Sequence, residues 1–206
     1  MQMRYLYIFI LLFCLSFISK AQGDYWGFKA GFNVTKISKV EITNSLKPGL
    51  HFGIYGTFHT SRDKLTFTHE LLFSTRGVAL SLPDSLKVLN NNEGSYSRSF
   101  NYLDIPWMLN YHFTDAFYIS AGGQLSIYAH FKKPKYDPVV YNKDNVNTID
   151  GSMLLGAGFL LKNNLGFGVR FTGSLIPAFD TGDKGKNYVM QVFLNYAINK
   201  KAGKRY

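Results

Sequence analysis

The chain has 206 residues, with 46% hydrophobic residues, 17% charged residues and a formal net charge of +10. The length is that of one domain, and the apolar fraction is too high for a disordered chain. Beyond residue 20 no apolar run reaches the roughly 18 residues that a membrane-spanning helix needs. Disordered proteins and helical membrane bundles are therefore excluded.

The first 21 residues are predicted to be a cleavable export signal. Arg4 supplies a positive charge, residues 5–18 are almost unbroken apolar sequence, and Ser19 and Ala21 are small residues at the cleavage site. Cys14 lies inside this run and is the only cysteine. The exported chain is therefore expected to contain no disulfide and no thiolate site.

Positive charge is concentrated at the C-terminus. Cleavage after residue 21 would remove Arg4 and Lys20 and no acid, which lowers the formal charge from +10 to +8. Residues 200–206 hold half of this charge and are predicted to be a basic periplasmic tail. The rest of the chain has no clustered basic stripe, so we expect no nucleic-acid partner.

From Tyr25 onward, apolar and polar residues alternate with a period of two, which predicts strands with one apolar face. In the first strand, residues 25–34, the apolar face consists of Trp26, Phe28, Ala30, Phe32 and Val34. Further strands are predicted at 50–59, 65–76, 100–113, 117–128, 153–161, 167–175 and 188–198. His69 is the one misfit on the apolar face of the third strand.

The connections between these strands alternate between long and short. Long connections are predicted at 35–47, 77–99, 132–149 and 178–187, and tight turns lie between them. All the long connections would then lie at one end, as in an up-and-down transmembrane barrel with short periplasmic turns and long extracellular loops. The prediction is an all-β fold, an eight-stranded antiparallel barrel over residues 22–199, with both termini in the periplasm.

The alternative is a soluble barrel of the lipocalin kind, whose apolar face points inward. The polar face carries small and charged residues that suit a narrow lumen, whereas the bulky residues lie on the other face. Several aromatic residues fall near the strand ends, as in the aromatic girdles of membrane barrels: Tyr25, Trp26, Trp107, Tyr111, Phe113, Phe117, Tyr188 and Tyr196. These features favour a barrel in the outer membrane, with membrane lipid as its surroundings.

Charged residues on the predicted inward face should form a cluster in the lumen. Three of them lie about equally far from the periplasmic strand ends: Lys29, Glu70 and Arg170. An isolated carboxylate would be costly in a narrow lumen, so these cations and the Gln191 amide are expected to surround Glu70. His51, Asp104 and Gln124 are expected to form a second polar layer. Filling of the lumen is the expected role.

Several segments, in order along the mature chain, resemble the PorT-type outer-membrane beta-barrel family of Bacteroidota, which has eight-stranded barrels like those of OmpA and OmpX. They include Gly27-Phe28-Lys29-Ala30-Gly31, His69-Glu70-Leu71-Leu72-Phe73-Ser74 and Asn101-Tyr102-Leu103-Asp104-Ile105-Pro106. The chain departs from the family at His69, where Pro is usual, and at Ile198, where an aromatic residue usually ends the last strand. The resemblance implies an outer-membrane location and, through the founding member, a role in type IX secretion.

No metal-binding or nucleophile motif is present, and no cofactor is expected. Ser126 and His130 are the nearest approach to a lipid A-modifying site, but four residues of strand separate them by about 13 Å. We therefore expect a non-enzymatic barrel with a plugged lumen. A small passive pore is the alternative, and a lipid A-modifying enzyme is a less favoured one.

The long loops are the expected contact surface, since barrels commonly carry function there. Lys132, Lys133 and Lys135 could contact anionic lipid phosphates. The expected partners are outer-membrane lipid and an envelope or secretion-system protein. The barrel itself is expected to be a monomer.

Overall fold

The computed structural model describes residues 25–38, 44–62, 64–81, 95–130, 147–177 and 185–198. No helix in these residues is long and apolar enough to cross a bilayer. The strands are β1 (Tyr25–Ile37), β2 (Asn44–Ser45), β3 (Lys47–His59), β4 (Leu65–Ser81), β5 (Ser95–His112), β6 (Phe117–His130), β7 (Ile149–Leu160), β8 (Leu165–Ser174) and β9 (Asn187–Ala197).

The sheet closes on itself. Each of the eight long strands pairs antiparallel with the next long strand, and β1 pairs with β9 from Gly27↔Ala197 to Ile37↔Asn187. The two residues of β2, which precede β3 in the chain, pair with β4 closer to the end of β4 than the residues of β3 do. Closure leaves no strand edge exposed to lipid, where an unpaired backbone group would be costly. The eight-stranded up-and-down barrel predicted from the sequence is confirmed.

Side-chain burial alternates along the strands. In β1 and β9, Asn33 and Gln191 are 0% and 1% exposed, whereas Phe32 and Leu194 are 69% and 64% exposed. Apolar side chains therefore cover the outside and polar side chains fill the inside, which is the arrangement of a membrane barrel. The soluble lipocalin-type alternative, with its apolar face inward, is excluded.

The two ends of the barrel differ. The short turns at 60–64, 113–116 and 161–164 lie at one end, together with the start of β1 and the end of β9; we call this the turn end and the opposite one the loop end. In the third turn, Leu161 N–H donates to Leu165 O at 2.7 Å. Asn164 there has a φ of 66°, a left-handed conformation that Asn tolerates better than most residues.

A row of aromatic rings crosses the outer surface near the turn end. Its ring centroids lie 4.9, 5.8, 5.0 and 5.4 Å apart along the series Tyr111, Phe113, Phe117, Phe159 and Phe167. This is the place of an interfacial girdle. Tyr25 was expected in this girdle, but that prediction is wrong. Its side chain faces the lumen, is 6% exposed and packs edge-on against Tyr55, with the ring centroids 6.2 Å apart. The odd-numbered residues of β1 point inward, and Tyr25 is one of them.

Several strands are longer than predicted. The segment 77–99 was expected to be a loop, but pairs from Gly77↔Ser99 to Ser81↔Ser95 continue the ladder between β4 and β5. β7 likewise begins at Ile149 and not at Met153. Beyond the apolar band of the membrane a strand needs no lipid-facing side chains. The alternation that reveals a strand in sequence therefore fades while the backbone pairing continues.

Several predictions fall outside the described residues. These are the signal peptide at 1–21, the basic tail at 200–206 and the loop lysines Lys132, Lys133 and Lys135. They remain predictions.

Candidate functional site

Three charged side chains meet in the lumen, from β1, β4 and β8. Arg170 donates two hydrogen bonds to Glu70, from Nη1 to Oε2 and from Nη2 to Oε1, each 2.8 Å long. Lys29 Nζ donates to Glu70 Oε1. Lys29 is 5% exposed, Glu70 is 0% exposed and Arg170 is 3% exposed. This central ion cluster links three strands across the barrel interior.

An aromatic ring packs against both cations. Phe193, on β9, places its ring centroid 4.0 Å from Lys29 Nζ and 5.4 Å from Arg170 Cζ, within the range of cation–π attraction. Gly168 makes room for this ring, since a Cβ at position 168 would lie 2.7 Å from Phe193 Cζ. On the other side, Met108 Sδ lies 3.3 Å from Arg170 Nη2. The cations are thus held by packing as well as by charge.

The backbone ladder is interrupted beside the cluster. β4 and β5 pair at His69↔Trp107 and at Leu72↔Asp104, but the two positions between them are unpaired. His112 N–H donates to Lys64 O, so every second residue of β5 from His112 turns its backbone N–H towards β4. Pro106 falls in this series and has no N–H. The gap therefore lies directly opposite Glu70.

Gln191 does not contact Glu70, and that part of the sequence prediction is wrong. Its Nε2 donates to Asn33 Oδ1 at 3.2 Å, and His51 Nδ1 lies 2.6 Å from the same oxygen. Asn33 Nδ2 in turn donates to Ser74 Oγ at 2.9 Å. Gln191 lies directly opposite Asn33 in the pairing of β1 with β9, which places its amide beside Asn33.

A second group of charges, the upper ion cluster, lies closer to the loop end and consists of Arg76, Asp104 and Asp150. Arg76 Nη2 lies 2.5 Å from Asp104 Oδ1, and Nη1 lies 3.5 Å from Asp150 Oδ2. Arg76 Nη2 also donates to Ser126 Oγ at 3.1 Å, and Gln124 Nε2 donates to the same oxygen at 3.0 Å. Arg76 thus links Asp104 to the Ser126 hydroxyl, to which Gln124 also donates. His51, expected in this layer, belongs to the Asn33 group instead.

Asp150 is the most heavily hydrogen-bonded residue of the upper ion cluster. It accepts from Ser174 at 2.7 Å and from Ser152 and Asn187 at 3.3 Å each. Arg76 was predicted as the last residue of the strand 65–76, on its polar face, but was not assigned to the lumen cluster. Asp150 was missed because it lies between the predicted connection 132–149 and the predicted strand 153–161. The alternation of side chains could have identified both residues. Arg76 and Glu70 are an even number of residues apart on one strand and so share its inward face, and the same holds for Asp150 and Ser152.

The lumen contains a small cavity among the described residues. Between the central ion cluster and the turn end is a cavity of about 20 Å³, which we call the lower chamber; Tyr55, Tyr118, Ser120 and Asn195 line it together with the cluster. Such a volume holds about one water molecule. Among the described residues, no group of three or more His, Cys, Asp or Glu side chains is placed to bind a metal ion.

An apolar exterior around a closed antiparallel barrel, with charged side chains filling the lumen, defines an integral outer-membrane β-barrel. The model of the family described as outer membrane protein beta-barrel domain matches residues 21–180, and the chain belongs to this family. No curated protein matches the sequence.

The chain is similar to several solved outer-membrane proteins, at low sequence identity and with TM-scores below 0.5. Ail, the attachment invasion locus protein of Yersinia pestis, is 9% identical with a TM-score of 0.45; the match covers 86% of this chain and 100% of that one. OprG of Pseudomonas aeruginosa is 12% identical with a TM-score of 0.43, over 85% of this chain and 96% of that one. AlkL is 12% identical with a TM-score of 0.39, over 91% and 97% respectively.

Proposed function

We propose that this protein is a closed, non-enzymatic outer-membrane scaffold. In this role the barrel anchors the chain in the membrane, the charged lumen blocks passage, and the long connections at the loop end contact a partner. The observation that carries the proposal is the central ion cluster. Glu70, at 0% exposure, joins cations from two other strands across the lumen.

The physical basis for closure is the width of the barrel. Eight strands leave an interior that side chains alone can fill. Ions passing such a lumen would have to displace side chains that satisfy each other's charge, and breaking a buried ion pair costs several kcal/mol, on the order of 3–5. Conduction through the resting barrel is therefore expected to be negligible.

The surroundings of Ser126 support a non-enzymatic role. Its hydroxyl oxygen accepts hydrogen bonds from Arg76 and Gln124, and the residue is 0% exposed. A nucleophile needs a base within hydrogen-bond reach and access to its substrate. Ser126 serves instead as an acceptor in the upper ion cluster. The side chain of His130, its candidate partner in the sequence, lies outside the described residues.

The interaction role rests on the loops and on the resemblance to the PorT-type family of Bacteroidota. Long surface connections on a rigid barrel are the usual place for binding. An envelope or secretion-system protein is the proposed partner, and Lys132, Lys133 and Lys135 are proposed to contact anionic lipid. The barrel is proposed to act as a monomer.

Closure is tested by reconstituting the purified mature protein in planar bilayers. The parent barrel is expected to show no stable conductance, and Glu70→Ala is expected to admit transient ion leakage because it removes the bridge between Lys29 and Arg170. Heat-modifiable migration on gels controls for correct insertion of both proteins. Stable conductance steps from the parent would overturn the closed lumen and favour the passive pore.

The interaction role is tested by site-specific photo-crosslinking in living cells. A crosslinking residue at Asn90, in a long connection, is expected to capture an envelope protein in a defined adduct. The matched control is the same residue at Asn163, in a short turn at the opposite end. If Asn90 yields no protein adduct, or if both positions yield the same one, contact through the loop end is contradicted.

A further inference from the structure

The geometry points to an anion-binding site in the lower chamber, and we propose that it holds one small monovalent anion of the chloride class. The proposal rests on the closed lumen argued above and adds a ligand to it. It stands on three observations in this part of the barrel: the charge of the central ion cluster, the presence of buried hydrogen-bond donors without a protein acceptor, and the size of the cavity.

The central ion cluster carries an excess of positive charge. Lys29 and Arg170 provide two cations, and Glu70 is the one carboxylate between them. All three line the lower chamber and are at most 5% exposed. A buried charge that lacks a counterion is costly. One additional negative charge beside these cations would make the cluster neutral.

Hydrogen-bond donors without a protein acceptor line the chamber, where Asn195 Oδ1 is also without a partner. Arg170 Nε has no hydrogen-bond partner, and Lys29 uses one of its three N–H groups on Glu70. The Tyr55 hydroxyl accepts from Asn195 Nδ2 at 3.3 Å, which leaves its own proton to donate. Tyr118 and Ser120 also line the chamber with hydroxyl groups. Several donors close to a net positive charge are what an anion requires.

The upper ion cluster carries the opposite excess, and its carboxylate oxygens have donors of their own except Asp104 Oδ2, which has no hydrogen-bond partner. Asp150 accepts from Ser174 and Asn187, and Arg76 lies against both Asp104 and Asp150. Asp104 also pairs with Leu72, two residues further towards the loop end than Glu70. Two residues of strand correspond to about 7 Å. The upper carboxylates therefore weaken the positive potential of the chamber but supply no acceptor to its donors.

The size of the chamber selects the class of anion. Its volume of about 20 Å³ admits one small particle. A halide is slightly larger than water and needs only a small outward movement of the lining side chains. Sulfate and phosphate are larger and need a greater displacement, so a halide is the anion that this chamber favours.

The direct test is anomalous diffraction from crystals of the full mature protein grown with sodium bromide in place of sodium chloride. Bromide is expected to give one anomalous peak in the lower chamber, in contact with Lys29 or Arg170. A chamber that holds only water, or no ordered density, gives no such peak, and that result overturns the proposal.

A solution test uses variants that change the charge of the central ion cluster stepwise. The net charge is +2 in Glu70→Gln, +1 in the parent and 0 in Lys29→Met. Replacing gluconate by chloride at constant ionic strength should raise the melting temperature most in Glu70→Gln, less in the parent and not at all in Lys29→Met. A ligand of the native state stabilises that state more strongly the more tightly it binds.

The matched control is Lys36→Met, which also removes one cation from β1 but from an exposed position. It is expected to keep the chloride response of the parent. An equal change in melting temperature in all four proteins would indicate a general effect of salt and would contradict the proposal. A barrel that conducts no ions yet shows no halide response would leave the closed scaffold intact and reject the anion site alone.

Discussion

Glu70 ties β4 to β1 and β8 through side chains alone. It accepts hydrogen bonds from Lys29 and Arg170 with both carboxylate oxygens, and it is 0% exposed. A carboxylate at this depth is tolerated because its charge and its lone pairs are both satisfied. Removal of the side chain would leave two cations facing each other without a counterion.

Replacement of Glu70 by alanine is expected to destabilise the folded barrel by about 3–5 kcal/mol, the range for breaking one side of a buried ion pair. Glu70→Gln should cost less, since an amide oxygen still accepts from Arg170. Urea unfolding of the protein in detergent micelles measures both. Asp115→Ala, which removes an exposed acid from the second turn, is the control and should change little. Parent-like unfolding of both Glu70 variants would contradict this account of the lumen.

The composition of the central ion cluster follows from two regularities of the sequence. Period-two alternation assigns Lys29, Glu70 and Arg170 to the inward face, and their similar distance from the turn end assigns them one depth. The partner of Gln191 was not predictable in this way. Its choice of Asn33 depends on how neighbouring strands are staggered and on which residue then lies opposite Gln191. Neither property can be predicted from the residue pattern of each strand taken alone.

At the scale of elements, a strand is predictable from sequence only over the length that the membrane covers. β4 and β5 continue as a paired ladder up to Ser81↔Ser95, beyond the segments whose lipid-facing residues are apolar. β7 likewise begins at Ile149, four residues before Met153. Arg76 was therefore the last residue of its predicted strand and Asp150 lay before the start of its own, and the upper ion cluster could not be assembled before the strand ends were known.

Pro106 shows how one residue shapes a pair of elements. Its ring removes the backbone donor that would face Glu70, and the ladder between β4 and β5 has its interruption there. The pairing of β5 with β6 continues unbroken through Pro106↔Gln124 on the other side. The barrel wall is therefore held beside Glu70 by the charges inside it as much as by the backbone ladder.

For the whole molecule, the even number of long strands places the start of β1 and the end of β9 at the turn end. In outer-membrane barrels short turns face the periplasm and long loops face the outside. We therefore expect both termini to be periplasmic and the long connections to be extracellular. The basic tail at 200–206 would lie inside the envelope, out of reach of external reagents.

This topology predicts the outcome of trypsin treatment of intact cells. Cleavage is expected near Lys87 or Lys143, in two long connections, whereas a tag added after Tyr206 should survive although the preceding tail is rich in lysine and arginine. Single cysteines give an independent measurement, because the only natural one, Cys14, lies in the predicted signal. A membrane-impermeant maleimide should label Ser85→Cys on intact cells, and Asn163→Cys only after the outer membrane is opened. Loss of the tag from intact cells, or labelling of Asn163→Cys before the outer membrane is opened, would contradict this orientation and indicate the opposite one.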